Sequence, residues 1–475
     1  MSLAEKALRI YNQIPLGILN CVAPFYHMLP QSVRYGKTFH RTYQSLMEKD
    51  RIRDQQAQQK TVQRLFLQTV RQAYENVPYY RKLFQENNID VYAFTSIKDI
   101  QKLPFLTKEQ IREKADELLC AGTDRNRLLY VTTSGSTGTP LEFYQDREIL
   151  MKEWAYVNYL WARAGYRPDS SRLVLRGKVF RNQKIKGADW QWDALKRELS
   201  CNIFSMSEKN MELYCSKIET YQPEYIHGYM SAVVTLCRYI EKRGLAHKFL
   251  GVLAVSETVS SWQREYVQRV LGARVFSFYG HSERLVIAAE CGQGTDYHIE
   301  PEYGYAELID RNGRVITEPG IEGELVATGF LNTSMPLIRY RTGDLARWSS
   351  GPCACGRKHM RLENVTGRWQ DVLVNKEQAF ISIAAVNMHS DLFAHVTQYQ
   401  FYQDTVGKMV FKMVPAAEFT QEDQYKIQAQ FAEKFGSGME VVIEQVTQIP
   451  LCSNGKYKMT DQRLNLRRLD GNTNT

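Results

Sequence analysis

Residues 131–140 read Val-Thr-Thr-Ser-Gly-Ser-Thr-Gly-Thr-Pro, and this stretch decides how the rest of the chain is interpreted. Hydroxyl side chains, two glycines and a proline fill every position after Val131. An ordinary turn needs one or two such residues. After a strand, a loop of this kind can direct consecutive backbone N–H groups at phosphate oxygens. The run therefore predicts a phosphate-binding loop, and it lacks the final Gly-Lys-Ser/Thr that a P-loop NTPase requires.

A flexible Ser/Thr-Gly linker is the alternative explanation for the same run. An apolar stretch typical of a strand, residues 128–131, leads directly into it. That context favours a phosphate loop over a linker.

Length and charge limit the class of protein. A chain of 475 residues is too long for one typical core, so two or more domains are expected. Hydrophobic content of 44% and charged content of 24% are those of a soluble globular protein. The net charge is +9, but Lys and Arg are scattered among acids and form no basic stripe with interleaved aromatics. We therefore expect no nucleic-acid partner.

The N-terminal residues carry no secretory signal. Residues 10–30 are apolar, but Pro15 and Pro24 interrupt them, so they make a poor membrane-spanning helix. We favour a docked N-terminal extension; the alternative is a weak association with a membrane surface. Nine cysteines without a signal indicate reduced thiols in a cytosol. The expected location is cytoplasmic, with peripheral attachment to the inner face of the membrane as the alternative.

The pattern of apolar residues changes along the chain. Residues 1–90 show helical spacing, and Pro78 interrupts it. From residue 128, short apolar runs alternate with helical stretches, which predicts an α/β domain with largely parallel sheets. Residues 303–348 read as antiparallel strands or a small barrel. After residue 370, a strand at 408–413, a helix at 422–435 and a strand at 440–446 predict a small α+β domain.

Further motifs follow the predicted phosphate loop in order. They are Phe-Tyr-Gly-His-Ser-Glu at 278–283, Tyr-Arg-Thr-Gly-Asp at 340–344, Gly-Arg-Trp-Gln-Asp at 367–371 and Pro-Leu-Cys-Ser-Asn-Gly-Lys at 450–456. Each motif alone is weak evidence. In this order, and together with the loop, they resemble the adenylate-forming superfamily over essentially the whole chain.

Additional segments resemble one branch of that superfamily, the phenylacetate–CoA ligases. They are Asn-Val-Pro-Tyr-Tyr-Arg at 76–81, Ser-Glu-Thr at 256–258 and Cys-Ala-Cys-Gly-Arg at 353–357. The helical N-terminal extension is similar to the CapK-like relatives in capsule biosynthesis.

The resemblance implies a fold and a division into domains. The expected fold is α/β. It has a large N-terminal domain of stacked, mostly parallel sheets with helices and a small β-barrel-like subdomain, plus a small mobile α+β C-terminal domain. We expect residues 1–90 to form a helical extension packed on the main domain and residues 91–368 to form the adenylation core. Residues 369–475 would then form the C-terminal domain that carries the catalytic lysine.

The resemblance also implies an activity. The expected enzyme is an ATP- and Mg²⁺-dependent ligase that activates a carboxylic acid as acyl-AMP and transfers it to a thiol, CoA. Two alternatives stay open. One is transfer to an amine or a carrier in surface-polysaccharide synthesis, and the other is a non-catalytic nucleotide-binding scaffold. A homodimer, as in relatives, is a further expectation.

Roles for individual residues follow from the resemblance alone. Glu283 would hold Mg²⁺, Asp344 the ribose hydroxyls, and Arg368 would lie near the ribose and phosphate. Lys456 would bridge the carboxylate and the α-phosphate, although Lys458 is close enough to compete for this role. Phosphate and nucleotide contacts would come from Thr133, Ser134, Gly135, Ser136, Thr137, Gly138, Ser256, Glu257, Tyr279, Gly280 and Ser282.

His281 and the predicted acyl pocket leave alternatives open. His281 would contact the substrate carboxylate, or it is a structural histidine. The segment 226–231 resembles a family loop near the acyl group. Nearby aromatic side chains suit an aryl or apolar acid, or they belong to the core. They are Trp154, Tyr156, Tyr159, Trp161 and Tyr229.

Two positions depart from the superfamily pattern. Leu141 follows the loop proline where many members have lysine, and the phenylacetate branch also lacks that lysine. Gln370 stands at the hinge where Asp or Lys is common, and Asp371 follows it. The glutamine at position 370 is expected to leave adenylation intact, but it puts in doubt the domain rotation needed for acyl transfer.

Several cysteines and a histidine predict a metal site. Cys353 and Cys355 lie in a turn-rich segment, and Cys291 and His298 lie upstream. Thiolates with an imidazole suit tetrahedral Zn²⁺. His359 is a substitute for His298, and ordinary buried cysteines are the alternative. The role would be structural, tying the barrel-like segment to the main domain.

Overall fold

The computed structural model describes most of the chain. It covers residue 11 and residues 14–132, 141–176, 189–203, 206–368, 372–376, 380–382, 390–393, 395–450 and 458–465. The predicted phosphate loop at 133–138, the hinge positions Gln370 and Asp371, and Lys456 lie outside these residues, as does the side chain of Arg368.

The N-terminal region is helical, as its spacing predicts. Asp54 caps the fourth helix by accepting hydrogen bonds from the N–H groups of Gln56 and Ala57. Extended backbone at Val77, directly before Pro78, separates the fourth and fifth helices. The helices are α1 (Leu16–Met28), α2 (Gln31–Arg34), α3 (Gly36–Ile52), α4 (Gln55–Asn76) and α5 (Pro78–Glu86).

Further helices alternate with strands. They are α6 (Lys108–Glu113), α7 (Ile149–Ala162), α8 (Glu208–Tyr221), α9 (Met230–Lys242), α10 (Ser261–Leu271) and α11 (Gln421–Phe435). Helix α10 begins with a capping box between Ser260 and Gln263 and ends at Gly272, whose φ of +65° is a left-handed C-cap. In the described part of the chain, no helix has the length and apolar character needed to cross a membrane.

The strands before residue 369 are β1 (Leu128–Thr132), β2 (Glu142–Asp146), β3 (Arg172–Leu175), β4 (Trp190–Asp193), β5 (Glu198–Cys201), β6 (Tyr225–Gly228), β7 (Gly251–Ala254), β8 (Arg274–Gly280), β9 (Ile287–Cys291), β10 (Gly294–Ile299), β11 (Gly304–Ile309), β12 (Glu322–Gly329), β13 (Tyr340–Trp348) and β14 (Arg361–Arg368).

Most of these strands form one mixed sheet. Among the described residues it has 12 strands in the order β11-β12-β13-β14-β10-β9-β8-β7-β6-β3-β5-β4. Strands β5, β3, β6, β7 and β8 are parallel, whereas β9 to β14 pair antiparallel. The α/β fold predicted from the sequence is confirmed, and its parallel and antiparallel parts are continuous.

The apolar run at residues 128–131 does not join the parallel sheet. The prediction that it forms one of the largely parallel strands was therefore wrong. Strand β1 pairs antiparallel with β2 in a separate hairpin, with Thr132 opposite Glu142. Tyr130 and Glu142 on one face are exposed, while Phe143 and Gln145 on the other face are buried. One face of the hairpin is therefore covered and the other is open to solvent. This pattern suits a two-stranded antiparallel hairpin, because a central strand of a parallel sheet is buried on both faces.

The C-terminal region builds a second sheet with its own core. Met409, Phe411 and Met413 are all fully buried, which confirms the alternation seen in the sequence. They belong to a hydrophobic cluster drawn from residues 373–459. The strands are β15 (Val372–Val374), β16 (Phe380–Ser382), β17 (Val396–Thr405), β18 (Lys408–Pro415), β19 (Glu440–Gln445) and β20 (Thr460–Gln462), with β19-β18-β17-β20 in one sheet.

The two sheets are connected by a contact from α9. The guanidinium of Arg238 donates hydrogen bonds to the backbone carbonyls of Val396, at 2.8 Å, and Thr397, at 2.7 Å. Strand β17 begins at Val396, so the contact places the N-terminal end of this inner strand against the main domain.

Candidate functional site

Four of the predicted nucleotide residues lie at the carboxyl ends of two neighbouring parallel strands. Strand β7 ends at Ala254 and is followed by Ser256 and Glu257, while β8 ends with Tyr279 and Gly280. Ser256 has a φ of +63°, the left-handed conformation of a tight turn. Ligands of open α/β sheets bind outside the carboxyl ends of the strands. This edge is therefore the expected position of a ligand.

Glu283 lies in the turn after β8 and is buried. The hydroxyl of Tyr340 donates to its Oε1 at 2.9 Å, and its Oε2 is 3.2 Å from Nδ1 of His281. Burial raises the pKa of a carboxyl group, but the His281 and Tyr340 contacts outweigh burial and hold the pKa of Glu283 at about 2. Glu283 is therefore ionised at neutral pH.

His281 offers a ring nitrogen beside this carboxylate. Its side chain is only 5% exposed, and Nδ1 contacts Glu283. Its Nε2 is buried without a hydrogen-bond partner among the described residues. A buried imidazole nitrogen of this kind is available to a bound group.

Asp344 and Tyr279 are brought together from different strands. The Tyr279 hydroxyl donates to Oδ2 of Asp344 at 2.6 Å, and Asp344 is buried. Gly343, with a φ of +76°, turns the chain just before it. In the register of β13 and β14, Asp344 lies opposite Arg368. The sequence motifs at 278–283 and 340–344 thus meet at one place, beside the backbone of Gly367 and Arg368.

Gln145 was missed by the sequence reasoning. It lies on β2, is fully buried, and donates to the backbone carbonyl of Glu283 at 3.1 Å. Its Oε1 accepts a hydrogen bond from Arg284, so the β1–β2 hairpin is fixed to the Glu283 turn. A signal was available, because Gln145 continues the alternation of Leu141 and Phe143 and so places an amide on the buried face.

The start of β13 is supported by a buried ion pair that no motif indicated. Arg339, in the left-handed region at a φ of +52°, pairs with Glu307 at 2.8 Å. It also donates to the carbonyl of Leu103 at 2.6 Å. Both charged side chains are nearly inaccessible to solvent. This network sets the position of Tyr340, the hydrogen-bond donor to Glu283.

The aromatic residues of the predicted acyl pocket are mostly core. Tyr156, Tyr159 and Trp161 are buried in one hydrophobic cluster, and Tyr229 is buried in another. Trp161 packs edge-on against His227, with ring centroids 4.7 Å apart. Their burial favours the core alternative over direct contact with a substrate.

Lys458 is engaged in an ion pair. Its Nζ lies 2.7 Å from Asp461, which also accepts from Arg463 at 2.9 Å. Of the two candidate lysines, Lys456 and Lys458, the second therefore has its charge engaged by a neighbouring carboxylate.

The four predicted metal ligands lie together. One ligand atom from each of Cys291, His298, Cys353 and Cys355 lies within 4.8 Å of all the others. His359, the predicted substitute, is beside His298 with ring centroids 6.0 Å apart, and its Nδ1 is 3.7 Å from Glu300.

Comparisons with known proteins agree with the motifs. The family model described as CapK C-terminal domain matches residues 373–463. Protein CapK of Staphylococcus aureus is 23% identical over 94% of this chain and 98% of that protein. The phenylacetate-coenzyme A ligase of Aromatoleum evansii is 30% identical over 64% of this chain and 69% of that enzyme.

A solved structure shares the fold. The 2-hydroxyisobutyryl-CoA ligase in its postadenylation state, in complex with 2-HIB-AMP, superposes with a TM-score of 0.67 at 18% identity. The match covers 87% of this chain and 91% of that one.

Proposed function

Because the chain belongs to the adenylate-forming ligase superfamily, in the branch that holds the phenylacetate–CoA ligases and CapK, we propose that it activates a carboxylic acid as acyl-AMP. The observation that carries the proposal is the pair of buried carboxylates, Glu283 and Asp344, held by tyrosine hydroxyls at the carboxyl ends of the parallel strands. Two ordered acceptors at such an edge suit a nucleotide with its metal.

The described residues fit ATP and Mg²⁺. Asp344 offers carboxylate oxygens to hydroxyl donors, as its contact with Tyr279 demonstrates, so ribose hydroxyls are suitable partners. Ionised Glu283 offers the oxygen ligands that Mg²⁺ prefers. When bound, the ion would neutralise phosphate charge. The turn at Ser256 and Glu257, with Tyr279, would flank the adenine.

The reaction needs positioning more than acid–base chemistry. A carboxylate oxygen of the substrate attacks the α-phosphorus of ATP, and the bond to the departing pyrophosphate breaks. The chain must hold two anions together and stabilise the charge that develops. We assign residues 133–138 to the phosphates and Arg368 to the ribose and α-phosphate. We assign His281 to the acyl carboxylate through its Nε2, which has no hydrogen-bond partner among the described residues.

Lys456 is the proposed catalytic cation. The alternative, Lys458, is paired with Asp461 and so has its charge engaged. A lysine that bridges the carboxylate and the α-phosphate would stabilise the transition state by electrostatics. It would be carried by the C-terminal domain, which we place at residues 369–475, after the helical extension of 1–90 and the core of 91–368.

The acceptor proposed for the acyl group is CoA. Transfer to an amine or carrier is the second candidate, and one observation favours it. The match to CapK spans 94% of the chain, whereas the match to the phenylacetate ligase spans 64%. Part of the chain is therefore shared with CapK and not aligned with the CoA ligase. Homodimer formation, cytoplasmic location and weak membrane attachment stay predictions.

ATP–pyrophosphate exchange tests the first half-reaction without knowledge of the acceptor. A panel of aryl, fatty and amino acids is offered to the wild-type protein. We expect exchange with one class of acid and none without acid. Nucleotide binding without exchange across the panel would favour the scaffold alternative.

A further inference from the structure

The cluster of Cys291, His298, Cys353 and Cys355 has the dimensions of a mononuclear metal site. The Sγ atoms of Cys291 and Cys353 are 3.6 Å apart, and Sγ of Cys355 is 3.7 Å from Nε2 of His298. We propose that these four side chains bind one structural zinc ion. The site is separate from the proposed nucleotide site, and the inference does not depend on the proposed function.

The distances match tetrahedral coordination. Zn–S bonds of about 2.3 Å and Zn–N bonds of about 2.0–2.1 Å give edges of about 3.8 Å between two sulfurs and about 3.6 Å between sulfur and nitrogen. The observed separations of 3.6 and 3.7 Å agree with these edges. A disulfide requires sulfurs about 2.05 Å apart, so the 3.6 Å pair is not one. Three thiols and one imidazole form a ligand set typical of structural zinc.

The backbone around the ligands is held in a defined turn. Gly356 donates to the carbonyl of Cys353 at 3.0 Å and has a φ of +79°, which allows the tight turn through the two cysteines. The N–H of Gln293 donates to Sγ of Cys291 at 3.4 Å, and Arg274 donates to the Cys291 carbonyl at 2.9 Å. These contacts orient the thiols before any ion binds.

The zinc ligands lie at the opposite ends of the strands that carry the nucleotide residues. Strand β9 follows the Glu283 turn and ends at Cys291. Asp344 is in the middle of β13 and Arg368 ends β14, whereas Cys353 and Cys355 lie in the connection between these two strands. An ion there would tie the far ends of the antiparallel strands together without touching the reacting groups. Its role is therefore structural.

The same turn anchors the N-terminal helices. Arg357 forms two 2.6 Å contacts with Asp50 at the end of α3. Arg53, the left-handed C-cap of α3, donates to the carbonyl of Cys355. A Cβ added at Gly356 would come within 3.0 Å of Arg53, so the contact is close. Loss of the ion would loosen this anchor as well as the strand ends.

Metal content tests the proposal directly. The protein is purified without chelator and analysed by native mass spectrometry and elemental analysis. Wild type and the control Cys21→Ser, which changes an exposed thiol outside the cluster, should each hold one zinc ion per chain. Cys291→Ser and Cys355→Ser should lose it. Zinc-free wild type, zinc retained in both ligand variants, or iron in its place would overturn the proposal.

A second measurement uses only the wild-type protein, so it remains valid if the ligand variants fail to fold. The wild-type protein is stripped with a chelator and reloaded with Co²⁺. Thiolate-to-cobalt charge-transfer bands, together with ligand-field bands of tetrahedral intensity, are expected. Stripping should also lower the melting temperature, and added Zn²⁺ should restore it. Absence of thiolate bands, or an unchanged melting temperature, would contradict a structural thiolate site whatever the enzyme's activity.

Discussion

In the main domain, Glu283 and Asp344 are buried and each accepts a hydrogen bond from a tyrosine hydroxyl, whereas the C-terminal sheet has a core of its own. The C-terminal sheet contacts the main domain through the two hydrogen bonds of Arg238. One region holds its polar groups fixed before ligand arrives, and the other is an independently packed unit beside it. The comparison leads us to expect that mutation can separate nucleotide binding from the action of the proposed catalytic cation, Lys456.

The largest effect is expected from the C-terminal unit. Lys456→Ala should lower ATP–pyrophosphate exchange by about a hundred- to a thousand-fold, because a charge that stabilises the transition state is lost. Nucleotide affinity, measured by calorimetry, should change little. The matched control is Lys458→Ala, whose side chain is paired with Asp461. Normal exchange in Lys456→Ala with lost exchange in the control would reverse the assignment.

The second largest effect is expected in the main domain, where ionised Glu283 contributes to the free energy of unfolding. The pKa of Glu283 is about 2 in the folded protein, below its ordinary 4.5, so the ionised side chain stabilises the fold above about pH 4.5 and loses this effect as pH falls toward 2. Glu283→Gln should therefore cost about 3 kcal/mol of unfolding free energy at pH 7.

Urea denaturation at several pH values checks this prediction. The difference between wild type and Glu283→Gln should shrink below pH 4.5, since protonation removes the same charge from the wild type. A difference that stays constant from pH 7 to pH 3 would show that the stabilisation does not come from the ionised carboxylate.

Nucleotide affinity should respond next. Asp344→Ala removes a charged hydrogen-bond acceptor that we assign to the ribose, and loss of such a bond costs about 1.5–3 kcal/mol. ATP binding measured by calorimetry should weaken about 10- to 100-fold. Tyr279→Phe removes only the donor to this carboxylate and should weaken binding less. Unchanged affinity in Asp344→Ala would mean that the ribose binds elsewhere.

The smallest effect is expected at the contact between the two regions. Arg238→Ala removes two hydrogen bonds from a half-buried arginine, worth about 1 kcal/mol in total. Exchange should fall by about fivefold or less, while acyl transfer from preformed acyl-AMP to CoA keeps its rate. Arg243→Ala, at the end of the same helix, is the control, since Arg243 pairs with Glu208. Equal changes in adenylation and in acyl transfer would show that the Arg238 contact does not favour the domain arrangement used for adenylation over the one used for acyl transfer.

Local patterns in the sequence anticipated much of this structure. The alternation of Met409, Phe411 and Met413 predicted their burial, because side chains on a strand point to opposite faces in turn. The spacing of cysteines in turn-rich segments predicted the cluster around His298, since thiols and imidazole suit one ion.

Other features depended on contacts between distant segments. The separate β1–β2 hairpin could not be distinguished from a parallel strand, because short apolar runs look alike in both. Gln145 carries no motif, and its role appears only when β2 packs beside the Glu283 turn. Arg339 pairs with Glu307 across 32 positions of sequence, a contact that tertiary structure decides.

The most direct test of adenylation follows oxygen from the acid. The protein is incubated with ATP, pools of acids carrying ¹⁸O in both carboxyl oxygens, and hydroxylamine as a general acyl acceptor. If the carboxylate attacks the α-phosphate, mass spectrometry of the nucleotides should find AMP containing one ¹⁸O atom. Formation of ADP, or AMP that carries no label, would contradict the account.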